Sequence, residues 1–104
     1  MPKYIFAYHG GDMPETEAEG AQVMAEWTAW FEGMGDAVVD GGNAVGPSST
    51  VQSDGTISCD GGPNPLSGYS LIQADDIEQA TAIARDCPIL KARGSVEIAE
   101  AMEM

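Results

Sequence analysis

The sequence is short of basic residues. It has 4 Lys and Arg against 17 Asp and Glu, a formal net charge of −13, and no Lys or Arg occurs between Tyr4 and Ala84. Such a negative surface repels phosphate backbones and anionic lipid headgroups, so we expect neither a nucleic acid nor a membrane as a partner. A plain solubility trait is the interpretation that this charge balance favours.

Cysteine and histidine are scarce as well. Two Cys and one His cannot build a Cys/His zinc cluster within one chain, and we expect no metal and no cofactor. No apolar run approaches the roughly 20 residues of a membrane span, and the N-terminal apolar run is too short for a secretory signal. We therefore expect a cytoplasmic protein in which Cys59 and Cys87 are free thiols.

Two loop motifs of common enzymes are also missing. The glycine-rich segments 42–46 and 61–68 lack the Lys-Ser/Thr pair of a phosphate-binding Walker loop. The chain has no Gly-x-Ser-x-Gly elbow either. The sequence therefore does not indicate nucleotide hydrolysis or serine hydrolysis.

The length and the apolar patterns of the chain predict a single folded domain. Its 104 residues, 43% of them apolar, predict a single domain over 1–104 with its own core. Apolar spacing and turn residues predict strands at 4–9, 37–40, 69–74 and 94–100, helices at 17–34 and 75–87, and an inserted hairpin of strands 50–52 and 56–59. This order is the split βαβ pattern of an α+β, ferredoxin-like βαββαβ sandwich.

Both predicted helices have clear start signals. Thr16 with Glu19, and Asp75 with Glu78, have the spacing of capping boxes. Each helix also has an apolar stripe facing the predicted core, made by Val23, Trp27, Trp30, Phe31 and Met34 in the first and by Ile77, Ala80, Ala84 and Cys87 in the second.

The first strand is apolar on both faces. Side-chain alternation places Tyr4, Phe6 and Tyr8 on one face, and Ile5, Ala7 and His9 on the other. A strand of this kind needs cover on two sides, and a chain of this size supplies only one layer of helices. The sequence therefore predicts a homodimer.

Several segments together resemble the YCII-related family, in its DGPF-type branch. These are the segment GYSLIQADD at 68–76, the spaced Ala80 and Ala84, Cys87-Pro88 and the segment GSVE at 94–97. The first strand and the loop at Asp60-Gly61 fit as well, so the resemblance covers nearly the whole chain. It implies a ferredoxin-like fold that pairs into a dimeric α/β barrel with a cleft between its two sheets, in a family of small bacterial cytosolic proteins that includes suspected enzymes.

The chain departs from that family where its suspected chemistry lies. In the YCII branch, the suspected acid/base pair is a His on the first helix and an Asp beyond the second strand. Met24 stands roughly where this His would be, and Asp60-Gly61-Gly62-Pro63 differs from Asp-Gly-Pro-Phe. The resemblance therefore does not transfer a complete catalytic pair.

His9 is the candidate catalytic residue, because histidine titrates near neutral pH and the two glycines after it let a ligand approach closely. Paired with Asp60 or Asp40, it would act as a general base. Simpler alternatives remain open: a strand-end His that donates to a backbone carbonyl, and Asp side chains that bond their own turns. Alternation places His9 with Ile5 and Ala7, on the helix side unless the Gly-Gly turn swings it toward the cleft.

Tyr8, Tyr69 and Trp27 are the candidate ligand-binding residues. The two tyrosines, on middle strands of the predicted sheet, would supply hydroxyl groups to the cleft, and Trp27 would line a pocket with Trp30. The alternative, which the pattern favours, is packing: the tyrosines in a dimer core and the tryptophans in the core of the chain itself.

Two hypotheses of function follow. The first is a homodimer that binds a small molecule in the barrel cleft without clear catalysis. The alternative is a cofactor-free acid/base enzyme of the lyase or isomerase type, acting on a small organic substrate through His9 with Asp60 or Asp40. The missing helix His favours the first.

Overall fold

A computed structural model describes residues 1–103 as a sheet with two helices packed on one of its faces. Its elements are β1 (Lys3–His9), α1 (Glu17–Met34), β2 (Val38–Ala44), β3 (Thr50–Val51), β4 (Ile57–Ser58), β5 (Leu66–Gln73), α2 (Ile77–Ala84) and β6 (Ser95–Glu100). Single 3₁₀ turns at Gly35–Ala37 and Pro88–Leu90 follow the two helices. The predicted α+β class is confirmed. No helix within residues 1–103 is both long and apolar enough to cross a membrane.

The main sheet has four strands in the order β2-β5-β1-β6, and every neighbouring pair is antiparallel. The two helical connections therefore place β1 and β5, the longest apolar strands, in the middle of the sheet. Strands β3 and β4 form a separate two-stranded hairpin. The chain as a whole is a flat slab of 43 × 42 × 18 Å.

The core lies between the helices and one face of the sheet. Tyr4, Phe6 and Tyr8 of β1 are buried there, as the alternation predicts. Trp27 packs edge-on against Tyr8, with ring centroids 5.0 Å apart. The indole Nε1 of Trp30 donates to the carbonyl oxygen of Ile83 at 3.2 Å, which ties α1 to α2. The indole N–H of Trp30 is thus hydrogen-bonded within the core and does not point to solvent.

The opposite face of the sheet has no helix over it, and we call it the open face. It displays Ile5, which is 40% exposed, with Ala7 and His9 on the same strand. His9 therefore shares the face of Ile5 and Ala7, as alternation predicts, but that face is not the helix side. The helix-side placement expected for His9 is wrong because both helices pack against the face of Phe6.

Strand β2 extends beyond its predicted end at residue 40, through two glycines to Ala44. Its pairing with β5 is irregular, with register shifts between Val38 and Asp40 and between Asp40 and Asn43. Gly42 adopts φ +72°, and a Cβ there would collide with the carbonyl oxygen of Tyr69. The glycines thus permit a bulged continuation of the strand, where the sequence pattern predicted a break.

The N-cap of α2 lies one residue later than predicted. Asp76, not Asp75, accepts from the backbone N–H of Gln79 at 2.8 Å. The Gln79 side chain in turn accepts from the backbone N–H of Asp75 at 2.6 Å, so the cap is still reciprocal. Ile77, the first residue of the helix, is 46% exposed and does not join the buried Ala80 and Ala84.

Candidate functional site

Polar side chains gather at one end of the open face, in rows across the sheet. Asn43 on β2 pairs with Tyr69 on β5, Tyr69 pairs with Ala7 on β1, and Ala7 pairs with Glu97 on β6. In the next row, His9 pairs with Ser95. The small Ala7 side chain therefore lies between a phenol on one side and a carboxylate on the other.

His9 has hydrogen-bond partners on both ring nitrogens. Its Nε2 lies 3.0 Å from Oε1 of Glu97, and its Nδ1 lies 3.0 Å from the carbonyl oxygen of Asn64. A carbonyl oxygen and an ionised carboxylate can only accept, so each nitrogen must donate a proton for both bonds to exist together. Only the doubly protonated, positively charged imidazole satisfies both.

This arrangement combines the two alternatives open for His9. The ring donates to a backbone carbonyl, as a strand-end histidine does, and it is also oriented by a carboxylate. With both nitrogens donating, however, His9 has no free lone pair with which to take a proton from a substrate. A ring that makes both of these bonds acts as a donor at each nitrogen and not as a general base.

The carboxylate beside His9 is Glu97, which the sequence analysis did not single out. Its side chain is 68% exposed, and that of His9 is 16% exposed. The alternation of β6, with Val96 and Ile98 toward the core, puts Glu97 on the open face. That signal was available in the sequence. The pairing of β6 with β1 was not, because strand register depends on the tertiary structure.

Asp60 and Asp40 both bond their own turns. Oδ1 of Asp60 accepts from the backbone N–H of Gly62 at 3.1 Å, and Oδ1 of Asp40 accepts from that of Gly42 at 2.8 Å. Within residues 1–103, the hydrogen bonds of the His9 ring go to Asn64 and Glu97 and not to either aspartate. The structure thus does not bring the predicted His-Asp pair together in one chain.

The three candidate ligand-binding residues lie on different faces. Tyr8 and Trp27 belong to the core on the helix side, where the Tyr8 hydroxyl donates to Oγ of Ser70 at 2.8 Å and burial raises the Tyr8 pKa. Tyr69 lies on the open face and accepts from Nδ2 of Asn43 at 3.1 Å. Its own hydroxyl proton is therefore available to a ligand, whereas Tyr8 and Trp27 cannot reach the open face.

The two cysteines are free, as predicted, and differ in environment. Cys59 is exposed, and Cys87 is buried in the core. Burial raises the pKa of the Cys87 thiol to about 11, so it is protonated and unreactive at neutral pH.

Two concave regions of residues 1–103 lie away from these side chains. A shallow groove of about 450 Å³ runs between α1 and the loops before it and before β6, and is lined in part by Met13, Gln22 and Lys91. A second groove lies on the outer surface of α2. Neither includes His9, Tyr69 or Glu97. Within residues 1–103, no group of three or more His, Cys, Asp and Glu side chains is placed to hold a metal ion.

No model of a protein family matches this chain, and no curated protein matches it closely enough to show a relationship. The case for a function therefore depends on the geometry of the open face.

Proposed function

We propose that this chain is a ferredoxin-like, YCII-related protein of the cytoplasm that forms a homodimer through its open face and binds a small organic molecule in the cleft between the two sheets. The observation that supports this most is the uncovered apolar surface of the central strands, where Ile5 is 40% exposed beside Leu71 and Ala7. Apolar sheet faces of this kind are stable when a second layer covers them.

The exposed surface area of the chain supports the proposal that a second layer covers the open face. The chain exposes 7124 Å², whereas a monomer of 10.9 kDa is expected to expose about 5,600 Å². The excess of about 1,500 Å² lies within the area that one subunit buries in an obligate homodimer. The radius of gyration, 14.8 Å, likewise exceeds the value of about 13 Å for a compact domain of this length.

The open face also supports binding. The hydroxyl of Tyr69 has a free proton to donate, and Glu97 has one carboxylate oxygen that His9 does not contact. An apolar floor with a few polar groups at one end is typical of small-molecule sites. Because His9 has no free lone pair while it donates to both Glu97 and Asn64, we propose binding without catalysis by the ring in that state. The charge of −13 supports a partner that is neither nucleic acid nor membrane.

Light scattering coupled to size-exclusion chromatography tests the dimer. We expect a dimer that strengthens with added salt, because screening weakens the repulsion between two acidic chains. Ile5→Glu should give a monomer, because it places a charge in the proposed interface. Met24→Glu, a matched change at a site 66% exposed on α1, should leave the dimer intact. A wild-type chain that stays monomeric at all salt concentrations would refute the proposal.

A thermal-shift screen against small metabolites tests ligand binding. A ligand at about 100 times its Kd should stabilise the folded protein by about 2.7 kcal/mol. Tyr69→Phe should reduce that stabilisation, and Tyr8→Phe should not, because only Tyr69 faces the proposed cleft. Equal responses of the two variants would place the ligand outside the cleft.

The second candidate function is the cofactor-free acid/base enzyme, and the contact between His9 and Glu97 favours it. A carboxylate that orients an imidazole is the arrangement of many catalytic histidines. With Glu97 in that role, Asp60 and Asp40 become further carboxylates to test by substitution with Asn. Full activity of His9→Ala on an identified substrate would remove His9 from the mechanism.

A further inference from the structure

The His9 imidazole joins two separate parts of the chain, β6 through Glu97 and the loop 60–65 through Asn64. This loop is a preformed unit. Asp60 closes a turn onto Gly62, and a Cβ on Gly61 would lie only 2.8 Å from Cβ of Pro65. Since its own residues are packed so closely, the loop is expected to move as one piece rather than unravel.

The described contacts of the loop with the rest of the chain are concentrated at its two ends. At the first end, Oγ1 of Thr50 donates to the carbonyl oxygen of Asp60 at 2.7 Å. At the second end, His9 contacts the Asn64 carbonyl, and the backbone N–H of Gly10 donates to Pro65 across a long 3.4 Å. His9 thus makes the shorter of the two bonds at the second end.

The number of protons on the ring decides how many of its bonds can form. The charged ring donates to both acceptors, whereas a neutral ring has one N–H and must turn a lone pair toward one of them. A hydrogen bond to an ionised acceptor is roughly twice as strong as one to a neutral acceptor. The neutral ring is therefore expected to keep its bond to Glu97 and to lose its bond to Asn64.

The other groups around the ring do not compete with Glu97 for the proton of the neutral ring. On the β5 side, His9 pairs with the uncharged Leu66, and on the β6 side with the uncharged Ser95. In the loop that follows β1, Asp12 is paired with Arg93 at 2.7 Å. Asp60, in the 60–65 loop, is bonded to its own turn. Glu97 is thus the carboxylate in contact with the ring.

We propose that His9 is a proton-operated latch for the loop 60–65. The protonated ring holds the loop through the Asn64 carbonyl while bonding Glu97, and the neutral ring stays with Glu97 and releases the loop. The latch lies within one chain and does not require a dimer. In the dimer proposed above, it would open one rim of the cleft as the pH rises, and this consequence alone rests on the proposed function.

Nitrogen NMR tests the latch directly, because His9 is the only histidine. The ring ¹⁵N shifts report its protonation state and tautomer, and ¹⁵N relaxation at Gly61, Gly62 and Asn64 reports loop motion. The measurements compare about pH 5 with about pH 8, because histidines commonly titrate between these values. At the higher pH, we expect a neutral ring protonated at Nε2. Over the same range, we expect the released loop to become about tenfold more populated, as loss of one hydrogen bond implies.

Two exposed carboxylates of β6 provide matched variants. Glu97→Ala removes the competing acceptor, so the neutral ring can keep its proton on Nδ1 and hold the loop at both pH values. Glu100→Ala, on the same strand, should behave as the wild type. A neutral wild-type ring protonated at Nδ1, loop motion unchanged with pH, or identical behaviour of the two variants would each overturn the latch. Light scattering on the same samples separates that result from failure of the proposed dimer.

Discussion

The two faces of the central strands are built from similar residues and have different surroundings. On β1, Phe6 is fully buried, and Ile5, its neighbour in sequence, is 40% exposed. Tyr8 is buried on the helix side, and Tyr69 points to the open face from the adjacent strand. Cover from the two helices, and not the apolar character of the side chains, separates the two faces.

This difference suggests distinct roles for the two faces. On the covered face, polar groups bond one another in a closed chain, from the Tyr8 hydroxyl to Ser70 and from Ser70 to the carbonyl of Gly41. On the open face, Tyr69 and Glu97 retain unused donor and acceptor capacity. The covered face therefore stabilises the chain, and the open face is the one that we propose for a ligand or a second copy.

The largest effect expected from this comparison is at Phe6. Phe6→Ala should lower the free energy of unfolding by about 3–5 kcal/mol, because it leaves a cavity in a packed core. Ile5→Ala, one residue away, should cost less than about 1 kcal/mol in the monomer, because its side chain is half in water already. Urea unfolding at low protein concentration measures both, and equal losses would contradict the division into two faces.

A second test concerns the bulge in β2, where the Gly41 carbonyl accepts from Ser70 of the covered face and Asn43 donates to Tyr69 on the open face. Gly42→Ala should cost about 2–4 kcal/mol, because φ is +72° and the new methyl would collide with the Tyr69 carbonyl. Gly41→Ala is the control, since open space surrounds that position, and should cost less than about 1 kcal/mol. Similar unfolding midpoints for the two variants would contradict the bulged pairing.

A third test uses the buried thiol of the covered side. Burial raises the pKa of Cys87 from 9.0 to about 11, so the folded state keeps a proton that the unfolded chain loses. The stability from this group is full below about pH 9 and is lost as the pH rises toward 11, by about 2 kcal/mol. Cys87→Ala should lack that part of the alkaline loss in urea unfolding, and Cys59→Ala, at an exposed thiol, should retain it. The same alkaline loss of stability in both variants would contradict a raised pKa at Cys87.

The smallest effect separates the two tyrosine hydroxyls. Tyr8→Phe should cost about 1 kcal/mol of unfolding free energy, because it removes a buried hydrogen bond to Ser70. Tyr69→Phe should stay within about 0.5 kcal/mol, because its hydroxyl is at the surface. Thermal unfolding of the two variants without ligand measures this difference, and a larger loss at Tyr69 would show that the open face also has a structural role.

Much of the fold could be predicted from local signals. The Thr16 cap was correct, since its hydroxyl accepts from the backbone N–H of Glu19 at 3.1 Å. The order of strands and helices was also correct, because alternation and glycine or proline breaks are short-range patterns. The predicted cap of α2 was off by one residue, because Asp75 and Asp76 are adjacent and the sequence could not indicate which of them caps the helix.

The candidate site was less predictable. His9 was predicted to pair with Asp60 or Asp40, but its ring contacts Glu97 and the Asn64 carbonyl instead. Short acids after a strand bond their own turns, as both of these aspartates do. Glu97 lies 88 residues from His9 in the chain, and they meet only because β6 pairs with β1. Pairing over such a distance is set by the packing of the whole sheet.

The sequence by itself determined the α+β element order, the two-sided apolar character of β1 and the separation of Phe6 from Ile5 onto opposite faces. These follow from side-chain alternation and turn chemistry, which act over a few residues. The tertiary structure alone decided which face the helices cover, and therefore that His9, Tyr69 and Glu97 share the uncovered one. The reason is that helix cover and strand register are properties of contacts between distant segments, which no short stretch of sequence specifies.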